Sequence, residues 1–259
     1  MNKKNYKYIY GPVPSWRLGS SLGIDPISFA KGKVCSFDCI YCQIGKTSIF
    51  SKQRKVFVPT AKIIEEINSL PPIEIDYITF SGTGEPTLAK NLGQMIKAIK
   101  KIRKEKIAVL TNSSLMDRED VRGDLSLADF VIAKLDACSQ DLLFKIDKPT
   151  KSIKFDIIVK SIKEFRAKYK GKLALQIMFL KENQKKAGEI ARIAKEIKPD
   201  EVQINTPLRP CAVKPLSKSE LSAIQVYFKG LNSISVYESE KKKVRSISEK
   251  NTLRRRGKI

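Results

Sequence analysis

The chain has 259 residues, enough for one large α/β domain or one domain with a small appendage, and a 42% hydrophobic content excludes a disordered chain. No apolar run reaches the ~18 residues of a membrane span, and the basic, tyrosine-rich start lacks the apolar core of a signal peptide, so a cytoplasmic protein with no membrane partner is expected. Lys plus Arg total 50 against 27 Asp plus Glu, a formal +23, and there is no histidine, which removes most triad and zinc-hydrolase mechanisms.

In chain order, apolar runs predict strands over 22–27, 77–80, 107–110, 130–134, 173–180 and 201–204. Between them, helices are predicted over 60–69, 92–104, 152–168 and 184–198. Runs such as "YITF" and "FVIAKL" are apolar on both faces, which suits parallel strands covered by helices. The fold class expected is α/β, a partial (β/α)6 TIM-like barrel. Pro207, Pro210 and Pro215 make the segment after the sixth strand a loop, and a helix over 218–229 and a strand over 234–236 follow. The expected organisation is a core over 1–216, an appendage over 217–240 and a basic tail over 241–259, mobile or a loosely docked helix.

Cys35, Cys39 and Cys42 fall within eight residues in "KVCSFDCIYCQIG", while Cys138 and Cys211 lie far away. A disulfide framework would spread its cysteines, so a metal or cluster site in a reducing compartment explains the pattern better. A four-iron cluster needs four ligands, and three nearby cysteines leave one iron open to chelate a substrate. A structural zinc site would want a fourth thiolate or imidazole, and a ferredoxin a fourth cysteine followed by proline.

Other segments carry polar groups where parallel sheets bind ligands, each with an ordinary alternative. In "SGTGEPTL", Gly82 and Gly84 permit a tight turn and close backbone approach, and Glu85 adds a carboxylate; an ordinary βα turn reads the same way. Thr111, Asn112 and Ser113 in "VLTNSS" present hydrogen-bonding groups or a helix cap. Lys134 and Asp136 point to one side of a strand, as a functional pair or a rim salt bridge. In "VQINTPLRPCAV", Arg209 suits an anionic substrate, and Cys211 suits a buried filler.

The spacing C-x3-C-x-aromatic-C, with Tyr41 as the aromatic, resembles the signature of the radical SAM superfamily over about residues 11–210. The resemblance implies a [4Fe–4S] cluster on Cys35, Cys39 and Cys42 and S-adenosylmethionine (SAM) on the open iron. One electron from an external reductant then breaks a carbon–sulfur bond, and the resulting 5′-deoxyadenosyl radical abstracts hydrogen from the substrate. It also implies cofactor contacts by Tyr41, Thr83, Gly84, Glu85, Asn112, Ser113, Asn205 and Pro207. Lys134 and Asp136 would face the reacting groups as catalytic residues.

"YGPVPSWRLGSSLGIDP", together with "KLDA" and "INTPLRP", resembles compact radical SAM proteins grouped with the wybutosine-synthesis enzymes, which modify a guanine in tRNA. Enzymes with that activity carry a second cluster on cysteines near the N-terminus, and no cysteine precedes Cys35 here. RNA, tRNA first, is the expected partner on charge, with Lys241, Lys242, Lys243, Arg245, Arg254, Arg255 and Arg256 crowded together. Lysines such as Lys97 and Lys100 on solvated faces give the same excess without RNA. The alternatives are a radical enzyme acting on a peptide, a protein or a small metabolite, and an iron–sulfur electron carrier.

Overall fold

The first strands form a hairpin, β1 (Ile9–Ser15) and β2 (Gly19–Ile24), that opens the main sheet. β2 was expected over 22–27; it stops before Pro26, which has no amide to donate to a ladder. Two two-residue strands, β3 (Val34–Cys35) and β4 (Ile49–Phe50), pair in parallel and frame the cysteine loop. Five strands then alternate with helices: α1 (Thr60–Asn68), β5 (Tyr77–Phe80), α2 (Leu92–Lys100), β6 (Lys106–Thr111), α3 (Glu119–Leu125), β7 (Phe130–Lys134), α4 (Gln140–Ile146), α5 (Phe155–Lys168), β8 (Lys172–Met178), α6 (Ala187–Ile197) and β9 (Glu201–Asn205). α7 (Lys218–Gln225), β10 (Ser233–Ser235) and α8 (Glu249–Arg256) complete the chain. This computed structural model describes residues 6–29, 32–239 and 242–256. Lys241 and residues 257–259 of the expected basic tail lie outside the described residues.

The main sheet has eight strands in the order β1-β2-β5-β6-β7-β8-β9-β10; only β1 runs antiparallel to its neighbour. The helices carry apolar residues at helical spacing, as in Ile190, Ala191, Ile193, Ala194 and Ile197 of α6, and bury them against the outer face. On the inner face Leu18, from the β1–β2 turn, shares one small cluster with Ala108, Phe130, Ile132 and Ala174. Those residues span strands β6 to β8, which a flat sheet would hold far from that turn. The sheet is therefore curled into a partial barrel, as expected, with β1 and β10 as unpaired edges. α2 and α5 are shorter than predicted, and 184–198 divides into a 3-10 turn and α6.

The basic segment forms a helix that packs on β1. Thr252 Oγ1 accepts from Gly11 N at 3.0 Å, and Ser246 Oγ donates to Gly11 O at 3.0 Å. Arg255 is buried to 3% exposure.

Candidate active site

Parallel strands leave their C-terminal ends on one edge of the sheet, and the loops after β5, β6, β7, β8 and β9 gather there. The cysteine loop lies over this edge. Its backbone is laced to the end of α4: Asp38 N donates to Asp147 O at 3.0 Å and Ile40 N to Ile146 O at 2.9 Å. Cys42 N closes a turn onto Cys39 O at 3.0 Å. Cys35 is buried, and Cys39 and Cys42 are half-buried.

The loop after β5 fits against the cysteine strand because it has glycines. Gly82 has φ +124°, and a Cβ there would lie 2.5 Å from Asp25 Cγ. A Cβ on Gly84 would lie 2.0 Å from the carbonyl oxygen of Val34, so any side chain would drive the loop off the strand before Cys35. Thr83 Oγ1 donates to Asp25 Oδ2 at 2.9 Å. Asp25 is fully buried, and its carboxyl is raised by burial against the opposing pull of Arg255 and Thr83.

Glu85 joins the loops after β5 and β6. Its Oε1 accepts from Thr87 Oγ1 at 2.7 Å, Thr87 N at 3.1 Å and Thr111 Oγ1 at 2.6 Å, and its Oε2 accepts from Asn112 N at 2.7 Å. Burial raises the Glu85 pKa and these bonds oppose the shift. A carboxylate offers about four lone-pair sites, so Oε2 retains acceptor capacity. Asn112 Nδ2 in turn donates to Ser36 Oγ at 2.9 Å and lies 3.6 Å from Cys35 Sγ. Ser113 Oγ donates to Lys134 O at 3.1 Å.

At the end of β7 the Lys134 ammonium pairs with Asp136 Oδ2 at 3.2 Å, donates to Gln176 Oε1 at 3.2 Å and sits 4.9 Å from the centre of the Tyr41 ring. Asp136 Oδ1 accepts from Met178 N at 2.7 Å. The Tyr41 hydroxyl lies between two carboxyls, bonding Asp136 Oδ2 and, at 3.0 Å, Asp147 Oδ1. One hydroxyl proton cannot serve two carboxylates. Burial, then the Asp136 charge, pushes Asp147 up to about 8, against the lowering effect of the Tyr41 hydroxyl bond. Burial also raises Tyr41 well above its usual value. A small cleft opens here between Asn112, Lys134, Asp136 and Asp147. A larger cleft lies on the outer helices between α1 and α2, away from this chemistry.

The donor set fits an iron–sulfur cluster better than a single metal ion. Among the described residues no three Cys, His, Asp or Glu side chains converge on one point. In a cubane each thiolate binds a different iron, so three sulfurs spread along one loop suit it. Burial pushes the Cys35 thiol up to about 12, and it raises Cys39 well above its ordinary value. Without metal these thiols stay protonated; a bound metal holds them as thiolates. Lys33 Nζ donates to Cys42 Sγ at 3.0 Å and to Gly45 O at 3.1 Å. Burial pulls its pKa down, but the Cys42 and Cys35 sulfurs outweigh that and leave it raised.

The sequence-predicted residues Cys35, Tyr41, Glu85, Asn112, Ser113, Lys134 and Asp136 thus meet in one bonded assembly, while Thr83 bonds Asp25 beside it. Asn205 and Pro207 lie at the same sheet edge, but among the described residues no hydrogen bond joins them to the cysteine loop; Asn205 Oδ1 accepts from Thr206 N at 2.9 Å. Cys138 donates to Glu189 Oε2 at 3.5 Å and Cys211 to Val213 O at 3.2 Å. Asp25, Lys33 and Asp147 were not read from the sequence, and Arg255 was read only as part of the basic tail. Lys33 had a signal, because it is a cation two residues before the first cysteine of the cluster loop.

Residues 30–194 match the family described as the Radical SAM superfamily. A UPF0026 protein of Synechocystis sp. is 44% identical over 211 residues, covering 81% of this chain and 78% of the relative. SuiB of Streptococcus suis, solved bound to its precursor peptide SuiA, superposes with a TM-score of 0.61 at 16% identity, over 79% of this chain and 47% of that one. An archaeal TYW1 superposes with a TM-score of 0.54 at 14% identity, over 82% of this chain and 72% of that one. Those likenesses concern the fold, and the chain spans about half the length of SuiB. The likeness to archaeal TYW1 is one of fold and does not establish the wybutosine grouping read from the motifs, whereas the sequence matches lead to a plain assignment: the chain belongs to the radical SAM superfamily and, within it, to the UPF0026 proteins.

Proposed function

We propose that this chain holds a [4Fe–4S] cluster on Cys35, Cys39 and Cys42 and binds SAM between the cysteine loop and the loops after β5 and β6. The observation that carries the reading is the three-thiol loop lying over the polar C-terminal edge of the sheet. A cluster held by these thiols would supply one-electron reductive cleavage of SAM, with the electron from an external reductant, and so hydrogen abstraction from the substrate.

The chain's own residues bind and orient. The Oε2 lone pair of Glu85 suits the methionyl ammonium, and the backbone at Thr83 and Gly84 is held beside the cysteine strand because Gly84 lets the Val34 carbonyl approach. Asn112 and Ser113 offer polar groups to the ribose or carboxylate, and Asn205 and Pro207 border the adenine end. Tyr41 holds the floor through Asp136 and Asp147, with Lys134 over its ring. Lys134 and Asp136 line the cleft with Asn112 and Asp147, and we assign them to face the reacting groups.

The substrate class we favour is RNA, tRNA first, supported by the +23 charge. The basic tail supports this less than its composition implies. Arg255 is buried in an ion pair and Lys242 pairs with Asp76 at 2.6 Å, leaving Lys243, Arg245 and Arg254 exposed.

Anaerobic reconstitution tests the core of the reading. About four irons per chain and a cubane spectrum altered by SAM are expected, with 5′-deoxyadenosine formed under reduction. Stoichiometric zinc in a chain that refuses iron would overturn it. For the substrate, tRNA and heparin are compared in a salt titration; equal affinity and slope count against RNA.

A further inference from the structure

Three arginine side chains from the two ends of the sheet stand near one another. Arg17 comes from the β1–β2 turn, Arg256 from α8 on β1, and Arg209 from the loop after β9. Arg209 Nη1 donates to Arg256 O at 3.3 Å and to Gln43 Oε1 at 2.9 Å. Gln43 directly follows Cys42. The Arg17 guanidinium lies 5.2 Å from the centre of the Trp16 ring, and its Nε is sealed from solvent with no hydrogen-bond partner.

None of the three forms an ion pair among the described residues. The acid that faces Arg17 is Glu201, which is already bonded to Lys172 at 2.6 Å and to Gln203 at 2.8 Å. Burial, then the Arg256 charge, pulls both Arg17 and Arg209 down to about 10, so the groups repel one another. Like charges withdrawn from water without a counterion destabilise a fold. Such an arrangement is complementary to an anion.

We propose that Arg17, Arg209 and Arg256 form a binding site for the phosphate of a nucleotide or nucleic-acid substrate, one side chain away from the cysteine loop. Phosphate is favoured over carboxylate because it brings up to two negative charges and three acceptor oxygens to three planar donor forks. The inference rests on the radical SAM reading only for making the owner of that phosphate the substrate; the anion site itself needs no cluster.

The test is calorimetric titration of the reconstituted protein with pyrophosphate, a nucleoside triphosphate, total tRNA, and tricarballylate as a carboxylate control. Iron content and SAM binding are measured on the same sample, so failure of the cluster and failure of the anion site are read separately. Phosphate probes are expected to bind more tightly than tricarballylate, and Arg17→Gln and Arg209→Gln to weaken them by about tenfold or more. A triphosphate that matches tRNA assigns the site to a free nucleotide, and tRNA alone assigns it to nucleic acid. Thermal melting supplies a readout that a structural role would not give. In phosphate-free buffer Arg17→Gln should melt no lower than wild type, because it relieves repulsion, and pyrophosphate should stabilise wild type but not the variant. If Arg209→Gln does not fold, Arg209→Lys, which keeps the charge and loses the fork, replaces it. Tricarballylate binding as well as pyrophosphate, or unchanged phosphate affinity in both variants, overturns the proposal.

Discussion

The Arg255 guanidinium donates to Asp25 Oδ2 at 3.0 Å, and both side chains are completely sealed from solvent. Arg255 also donates to Ser28 Oγ at 3.1 Å and to Lys7 O, and lies 5.7 Å from the Tyr10 ring centre. The same Asp25 oxygen accepts from Thr83, so α8 is tied through one carboxylate to the glycine loop of the candidate site. Removing one partner strands a buried charge. Arg255→Met is expected to cost about 3–5 kcal/mol in urea unfolding, and adding Asp25→Asn should recover much of the loss. A loss under 1 kcal/mol would show that the pair is not a structural tie.

The cysteines divide into two groups. Cys39→Ala should abolish the cubane spectrum in anaerobically reconstituted protein, whereas Cys138→Ala and Cys211→Ala should keep full iron, since their thiols bond Glu189 and Val213 instead. Iron loss in Cys138→Ala would bring that thiol into the cluster site.

Glu85→Gln keeps the shape of the carboxylate but removes its charge and one acceptor. SAM affinity should fall by about 1–3 kcal/mol in equilibrium dialysis while iron content stays whole. Because Asn112 N also leans on Glu85, Asn112→Ala should weaken SAM binding less. Unchanged SAM affinity in Glu85→Gln removes this residue from the site.

Asp147 gives the iron-free chain a pH signature. An unfolded aspartate titrates near ~3.9. The folded value is pushed up to about 8, chiefly by burial. Between these values the folded chain keeps a proton that the unfolded chain has released. The stabilisation is complete below the lower value and is lost as pH rises toward the upper one, by at most about 1.4 kcal/mol per unit. Urea midpoints of Asp147→Asn should show a flatter decline from pH 5 to 8 than wild type; parallel curves would contradict the assignment.

The sheet was legible where strands are buried on both faces. β5 and β7 begin and end where the apolar runs do, because helices cover one face and the barrel interior the other. β1 was missed because "IYGPVPS" contains two prolines, which an edge strand tolerates and a central one does not. α8 read as a basic tail, mobile or a loosely docked helix, because its docking face is polar, Thr252 and Arg255, so no apolar period announces it. The cysteines and Glu85 declared themselves by spacing. Asp147 stands just after a seven-residue helix and acquires its meaning only when α4 packs under the cysteine loop, 106 residues from Tyr41.

The docking of α8 also sets an order of events during synthesis. Asp25 emerges from the ribosome 230 residues before the arginine that neutralises it. Chains are made from the N-terminus and fold as their parts appear, so the hairpin and the glycine loop spend most of translation with an unmatched carboxylate between them. All three clustered thiols lie upstream of α8, yet the loop beside them gains its final anchor only with residue 255. Stable loading of the site is thereby placed after translation of that helix, and a nascent chain arrested before it presents cysteines on an unfinished scaffold.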